Sequence, residues 1–169
     1  YTSTALLRAA LERRKITEIP EFKSWNYKDD APSESRPQTQ EFTVEFSSDF
    51  YAVTWKYDRE TNDYTRSQKG DPVYYPEYAA AVRIRAKNVA VMETKIEITD
   101  EVGRRRIRTV GEGNGSVFRD GQMITGSWRR ENLDERTRFF DSENKEIFFN
   151  AGTTWIEVIG DMDQVTVGE

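Results

Sequence analysis

The pattern of apolar and polar positions predicts one amphipathic helix near the start of the chain and β-strands through most of the rest. In STALLRAALERRKI, apolar residues recur at the spacing of a single helical face, made of Leu6, Leu7, Ala10, Leu11 and Ile16. Ser3 or Thr4 can cap this helix, because either hydroxyl can accept a hydrogen bond from a free amide of the first turn. From Gln40 the apolar period becomes two, which is typical of strands that bury one face.

A change of composition separates these two parts. Between Pro20 and Pro37 the chain is rich in Ser, Pro, Asp and Lys, with isolated aromatic residues, and this is typical of a linker pinned at points to an apolar surface. We therefore divide the chain into residues 1–38, a helix and a linker, and residues 39–169, a β-rich C-terminal domain.

Alternating apolar residues and turn motifs predict hairpins in the second part. Residues 42–46 read as a strand, and residues 51–67 alternate around a charged turn. A long strand over 82–98, bent or split, is followed by RRRIRTV, which would pair back on it. Asp120-Gly121 supplies the positive φ of a tight hairpin turn. The predicted fold class is mainly β (α+β overall): an antiparallel sheet or barrel-like domain built from hairpins, preceded by one helix and a linker.

The composition excludes several kinds of catalytic and metal site, but it says less about the fold. The 169 residues suit one main domain, and the 9 Phe, 8 Tyr and 4 Trp need a packed core, for which Trp128 and Trp155 are candidates. The chain contains no His and no Cys, so the usual general base, thiol nucleophile and zinc ligands are missing. A net charge of −5 gives no global attraction to nucleic acid or to an anionic membrane. We expect no cofactor, no metal and no nucleic-acid partner.

Two motifs have a chemical and a structural interpretation. The segment GEGNG, with Gly111, Gly113 and Gly115, resembles a phosphate cradle, but a predicted hairpin follows it where such a site needs a helix. We interpret it as a bulge or a tight strand entry. Asp58, Glu60, Asn62 and Asp63 offer oxygen ligands for calcium without the EF-hand pattern.

Carboxylates are the remaining option for acid and base catalysis. The candidates lie almost entirely in predicted turns, where side-chain hydrogen bonds to the backbone explain them: Asp58, Glu60, Asp63, Glu112, Asp120 and Asp141. We therefore name no catalytic residue and expect a protein that is not an enzyme.

Two clusters are candidates for a binding surface. Tyr74, Tyr75 and Tyr78 stand in DPVYYPEYA, where they could stack on sugar rings, dock a peptide, or fold down over one end of the sheet.

The second cluster is basic. Alternation places Arg104, Arg106 and Arg108 on one face of a strand, as a stripe that could grip a polyanion. The alternative, which we favour, is cross-strand pairing with Glu93, Glu97 or Asp100 on a solvated face.

Four motifs in order resemble a known family. YDRETNDYTR, AKNVAV, GEGNGSVFRDGQMITGSW and NAGTTWIEVI are similar, in order and spacing, to the C-terminal domain of the YerB-like family of bacterial lipoproteins, over about residues 40–160. The leading YTSTALLRAALERR is similar to the end of that family's N-terminal domain, so the resemblance implies that residues 1–38 are the remnant of a preceding domain. The resemblance implies an exported protein, anchored to the outer face of the cytoplasmic membrane by a lipidated cysteine upstream of this chain. It provides no catalytic residues.

The function expected from these observations is a non-enzymatic extracytoplasmic module that binds a protein or a cell-envelope polymer and contacts its own N-terminal domain. The tyrosine cluster would form the surface first and the arginine stripe second. Two alternatives stay open: a carbohydrate-active hydrolase that uses paired carboxylates, and a structural spacer.

Overall fold

The structure, a computed structural model, describes residues 3–18, 23–75 and 82–168. These residues contain one α-helix, α1 (Thr4–Arg13), and short 3₁₀ helices at Ser33–Ser35, Asp49–Tyr51 and Met162–Gln164. The first seven strands are β1 (Tyr27–Lys28), β2 (Glu41–Val44), β3 (Val53–Asp58), β4 (Asp63–Gln68), β5 (Asp71–Pro72), β6 (Arg85–Ala86) and β7 (Asn88–Glu93). The others are β8 (Ile96–Ile98), β9 (Arg105–Ile107), β10 (Gly111–Arg119), β11 (Gln122–Arg130), β12 (Arg138–Asp141), β13 (Phe149–Asn150), β14 (Thr154–Ile159) and β15 (Val165–Val167).

The strands form two main sheets and two small ribbons. The first sheet has the order β15-β2-β3-β4-β5, with β6 also paired to β4, and the second has the order β12-β11-β10-β7-β14. The ribbons are β8 with β9 and β1 with β13. The mainly β class is therefore confirmed, whereas the barrel-like form is not what the described strands adopt, because neither sheet closes on itself.

Most pairings are antiparallel, but two are parallel. β14 lies parallel to β7, and β1 lies parallel to β13. Both parallel pairs join segments far apart along the chain, as parallel strands require. The predicted long strand over 82–98 is split into β6, β7 and β8, and the last of these pairs with the arginine-rich β9 as predicted.

Two apolar clusters cover the two faces of the second sheet. The cluster between the sheets includes Trp55 and Tyr64 from the first sheet and Val91 and Phe118 from the second. On the opposite face, Trp128 belongs to a second buried cluster. The second sheet is thus covered on both sides, which explains why NVAVME in β7 is a continuous buried run rather than an alternating one.

The segment before the β domain packs on it at defined points. Trp25 lies against the second cluster, and its Nε1 donates to the carbonyl of Thr137 at 2.7 Å. Lys28 pairs with Asp120 at 2.8 Å, and the amide of Ala31 donates to the same carboxylate at 3.1 Å. The expected pinning of the linker is therefore present.

The hairpin turn and the glycine-rich segment have clear geometric reasons. Asp120 and Gly121 adopt φ values of 51° and 70° between β10 and β11, as a tight hairpin turn requires. GEGNG forms the first half of β10, and no helix follows it. A Cβ at Gly113 would lie 2.6 Å from the carbonyl oxygen of Glu93 and 2.8 Å from Trp128 Nε1, so glycine is needed for this close packing.

Helix α1 begins as predicted, with Ser3 as its N-cap and the Ser3 hydroxyl accepting from the amide of Leu6 at 3.3 Å. Its apolar side chains, including Leu6 and Leu7, are exposed. Over the described ranges, α1 falls short of the length and apolar character that crossing a membrane requires.

Candidate functional site

One open cleft combines a buried carboxylate and a half-buried guanidinium with an exposed tyrosine. It has a volume of about 470 Å³, and its walls come from β3, β4, β9, β14 and residues 46–51. The residues that line this cleft are Phe46, Ser47, Tyr51, Val53, Arg66, Gln68, Arg105 and Glu157.

Strand register places two charged side chains on the inner faces of the sheets. Arg66 of β4 lies directly opposite the fully buried Trp55 of β3, and residues opposite each other in an antiparallel pair share a face. Glu157 of β14 is aligned with the buried Val91 of β7 in a parallel pair, so these two side chains also share a face. The pairing of both strands within their sheets therefore directs a guanidinium and a carboxylate into the space between the sheets.

Tryptophans hold both charged groups. The Glu157 carboxylate accepts from Trp55 Nε1 at 2.9 Å, and Glu157 is only 5% exposed. The Arg66 guanidinium lies over the ring of Trp155, 5.2 Å from its centroid, and donates to Gln68 at 3.4 Å. Trp55 and Trp155 thus hold the two charged groups in place. Among the described residues, Arg66 and Glu157 do not form an ion pair with each other within 4 Å.

Burial shifts the pKa of both groups toward the neutral form. Loss of hydration raises the pKa of Glu157, and the hydrogen bond from Trp55 and the charge of Arg66 offset this only in part. Loss of hydration likewise lowers the pKa of Arg66, with the charge of Glu157 acting in the opposite direction. The buried Nε of Arg66 has no hydrogen-bond partner within the ranges that the structure describes. These groups are costly to bury, and their position in a cleft makes them candidates for a functional role.

Exposed aromatic residues border the cleft. Phe50 and Tyr51 are 55% and 52% exposed, and their rings meet edge to face with centroids 5.1 Å apart. Tyr51 faces the cleft, whereas Phe50 faces a neighbouring depression of about 420 Å³ that shares Gln68 with it. We call this depression the side hollow; its lining residues are Phe50, Gln68, Lys69, Asp71, Pro72, Val73 and Tyr74.

The structure separates the three predicted tyrosines. Tyr74 lines the side hollow and is 43% exposed. Tyr75 is half-buried and packs against the cluster between the sheets. Tyr78 lies outside the described residues. Tyr74 therefore belongs to the same surface as the cleft, while Tyr75 contributes to packing, and a ligand role for the group stays a prediction.

The predicted arginines lie on or beside the ribbon of β8 and β9. Arg104 pairs with Asp100 at 3.2 Å, Arg106 stands opposite Glu97, and Arg108 donates to the carbonyl of Glu112 at 2.9 Å. Of the expected pairings with Glu93, Glu97 or Asp100, the structure shows an ion pair for Arg104 with Asp100. A ligand role for this stripe also stays a prediction.

Arg105 was left out of the predicted stripe because alternation places it on the other face of the strand. It is the arginine of this ribbon that lines the cleft. It alternates with Arg106 along β9, so it faces the other way, and among the described residues it has no ion-pair partner within 4 Å.

The sequence contains a signal for the inward positions of Arg66 and Glu157. Arg66 follows Tyr64 by two residues, and Glu157 follows Trp155 by two, so each charge occupies the inward position of an alternating strand. A charge at an inward position marks either a site or a device against edge pairing.

The carboxylates that the sequence offered for catalysis or calcium have structural partners. Asp58 and Asp63 both accept from Arg85, at 2.6 and 2.7 Å, and the hydrogen bond from Arg85 lowers the pKa of Asp58. In the cleft, Glu157 is the single carboxylate among the lining residues, whereas a glycosidase needs two that face each other.

Asp120 is the centre of a structural network. Burial acts to raise its pKa, but hydrogen bonds from Lys28, Asn62, Asn150 and the amide of Ala31 outweigh this effect and lower the pKa to about 2. This carboxylate stays ionised near neutral pH and joins the linker, the β3–β4 turn and β13.

A smaller cavity of about 310 Å³ lies near the linker and contains Lys28 and Arg119. Lys28 is already paired with Asp120, and Glu146 on its wall is paired with Arg138. Arg119, like Arg66, keeps a buried guanidinium nitrogen without a hydrogen-bond partner within the described ranges. We rank the open cleft first because it adjoins the exposed rings of Phe50 and Tyr51 and the side hollow.

Comparison with known proteins agrees with the family resemblance. The family model described as "Protein of unknown function (DUF3048) C-terminal domain" matches residues 42–156. The chain is 26% identical over 142 residues to a protein named "Putative lipoprotein YerB" from Bacillus subtilis (strain 168), covering 81% of this chain and 41% of the relative. The chain thus spans about two fifths of that relative's length.

A solved structure supports the fold. The crystal structure of YerB protein from Bacillus subtilis aligns with a TM-score of 0.79 at 22% identity, over 99% of this chain and 55% of that one. The family match covers more than half of the chain and lies within the region that the sequence motifs indicated. The chain therefore belongs to the DUF3048 family and carries its C-terminal domain.

Proposed function

We propose that this chain is the non-enzymatic binding module of a membrane-anchored extracytoplasmic lipoprotein, and that it binds a protein or a cell-envelope polymer through the cleft and the side hollow. The observation that carries this proposal is the row of exposed aromatic side chains, Phe50, Tyr51 and Tyr74, beside the half-buried Arg66 and the buried Glu157. Contiguous exposed aromatic surface with a few fixed polar groups is typical of binding sites.

The name of the Bacillus relative, "Putative lipoprotein YerB", supports the lipoprotein part of this proposal. The chemistry of the cleft supports a binding role over a hydrolytic one, because a single carboxylate lines it. We also propose that the parent protein's N-terminal domain is a partner of this chain.

The proposal is tested by retention of the chain on purified cell-envelope material from the producing bacterium. Replacing Phe50 and Tyr51 together by Ala should reduce retention at least tenfold and leave the melting temperature nearly unchanged, because both side chains are more than half exposed. Tyr27→Ala is the matched control, since Tyr27 is 47% exposed and lies away from the cleft on β1.

Equal retention of the double variant and the wild-type chain would contradict the proposal. A large fall in melting temperature together with lost retention would instead assign Phe50 and Tyr51 to packing.

A further inference from the structure

The cleft holds cationic groups whose charge is not fully compensated. Arg66 has no carboxylate within 4 Å among the described residues, and Arg105, which also lines the cleft, has none either. A guanidinium is a preferred partner for carboxylate and phosphate groups, because its planar donors match their oxygens. Two such groups lining one cleft define a place for an anion.

Glu157 partly balances the positive charge of Arg66 when no ligand is bound. It lies close enough to Arg66 for each charge to influence the other, although the two groups form no ion pair. Its carboxylate is held away from solvent by the hydrogen bond from Trp55. An incoming anion would take the role of counter-charge for Arg66 without displacing a salt bridge.

The surface beside this anion site suits a sugar chain. From the cleft, the exposed rings of Tyr51 and Phe50 lead into the side hollow and to Tyr74. Aromatic faces pack against the C–H faces of sugar rings, while their edges and the tyrosine hydroxyls remain hydrated. Lys69 lies 5.1 Å over Phe50 and adds a third cation along this path.

We propose, resting on the function proposed above, that the ligand is a polyanionic glycan: an anionic group binds between Arg66 and Arg105, and neighbouring sugar rings stack on Tyr51, Phe50 and Tyr74. An acidic peptide would share the anion contact, but a row of exposed aromatic rings is a more typical contact surface for the apolar faces of sugar rings. The anionic group can be a carboxylate or a phosphate, and these two sources need separate tests.

The test uses three polymers with one backbone: carboxymethyl dextran, dextran phosphate and neutral dextran. We expect the wild-type chain to bind at least one anionic dextran and not the neutral one, with affinity that falls as salt is raised. The two anionic polymers distinguish a carboxylate from a phosphate ligand.

A pair of variants on one strand separates the cleft from general surface charge. Arg105→Gln should weaken binding of the anionic dextran about tenfold, as expected for the loss of one charged hydrogen bond. Arg106→Gln removes the same charge from the opposite face of β9, where Glu97 stands across from it, and should change binding less than twofold.

Several results would overturn the inference: no binding of either anionic dextran, equal binding of neutral dextran, or equal effects of the two arginine variants. Stronger and Arg105-dependent binding of poly-glutamate would replace the glycan by an acidic peptide. If the Phe50 and Tyr51 variant loses envelope retention while the dextran series fails, the proposed function stands and only the ligand class is wrong.

Discussion

The burial of the Glu157 carboxylate between the two sheets lowers the free energy of unfolding when this group is ionised. Because burial raises its pKa in the folded state, the ionised form destabilises the fold, and stability falls as pH rises from about 4.5 through the raised pKa. Glu157→Gln keeps an acceptor for Trp55 and removes this cost. We expect a higher melting temperature than wild type at pH 8 and a smaller difference between the two at pH 4.

Glu112→Gln is the control, since the Glu112 side chain is 75% exposed. A lower melting temperature for Glu157→Gln at pH 8 would show that the carboxylate stabilises the fold and would remove the argument that it is kept for binding.

Asp120 gives the opposite pH dependence. Its pKa is about 2 in the folded chain against an ordinary value of 3.8, so it stabilises the fold above pH 4, and this contribution is lost as pH falls from about 4 to 2. Asp120→Asn should lower the free energy of unfolding by about 2 kcal/mol at pH 7. Denaturant unfolding at pH 7 and at pH 3 measures this, and an unchanged difference between wild type and variant at the two pH values would contradict it.

At the scale of elements, the β10–β11 hairpin depends on close packing over a glycine. A Cβ at position 113 would approach the Glu93 carbonyl and the Trp128 ring, so Gly113→Ala should destabilise the fold by about 1–3 kcal/mol in denaturant unfolding. At Gly160 the nearest contact of an added Cβ is the Gln164 side chain at 3.5 Å, so Gly160→Ala is the control and should cost far less. Similar effects at both positions would contradict the packing argument.

Local patterns predicted most elements and the partners that a turn joins, but not the pairings between strands far apart along the chain. Asp120-Gly121 identified the hairpin, because two residues determine a tight turn. The parallel pairing of β14 with β7 was not predictable from the sequence. No turn joins these two strands, and the alternation of apolar residues within a strand does not show which strand lies beside it. Arg105 was missed for the same reason: alternation separates the two faces of β9 without showing which one meets the cleft.

At the scale of the whole molecule, the candidate site is a product of long-range assembly. Arg66 comes from the first sheet and Glu157 from the edge strand of the second, and the shared core brings them together. The sequence shows that each charge occupies an inward position, but only the packing of the sheets shows that both open into one cleft. The site could therefore be predicted residue by residue only in part.

Photo-crosslinking on living cells tests most directly whether the cleft and the side hollow form the binding surface. A photoreactive amino acid would replace Tyr51, which faces the cleft, or Tyr27, a comparably exposed tyrosine on β1. We predict a discrete crosslinked product from position 51 that Arg105→Gln diminishes and that position 27 does not give. Equal products from both positions, or none from position 51, would contradict the claim.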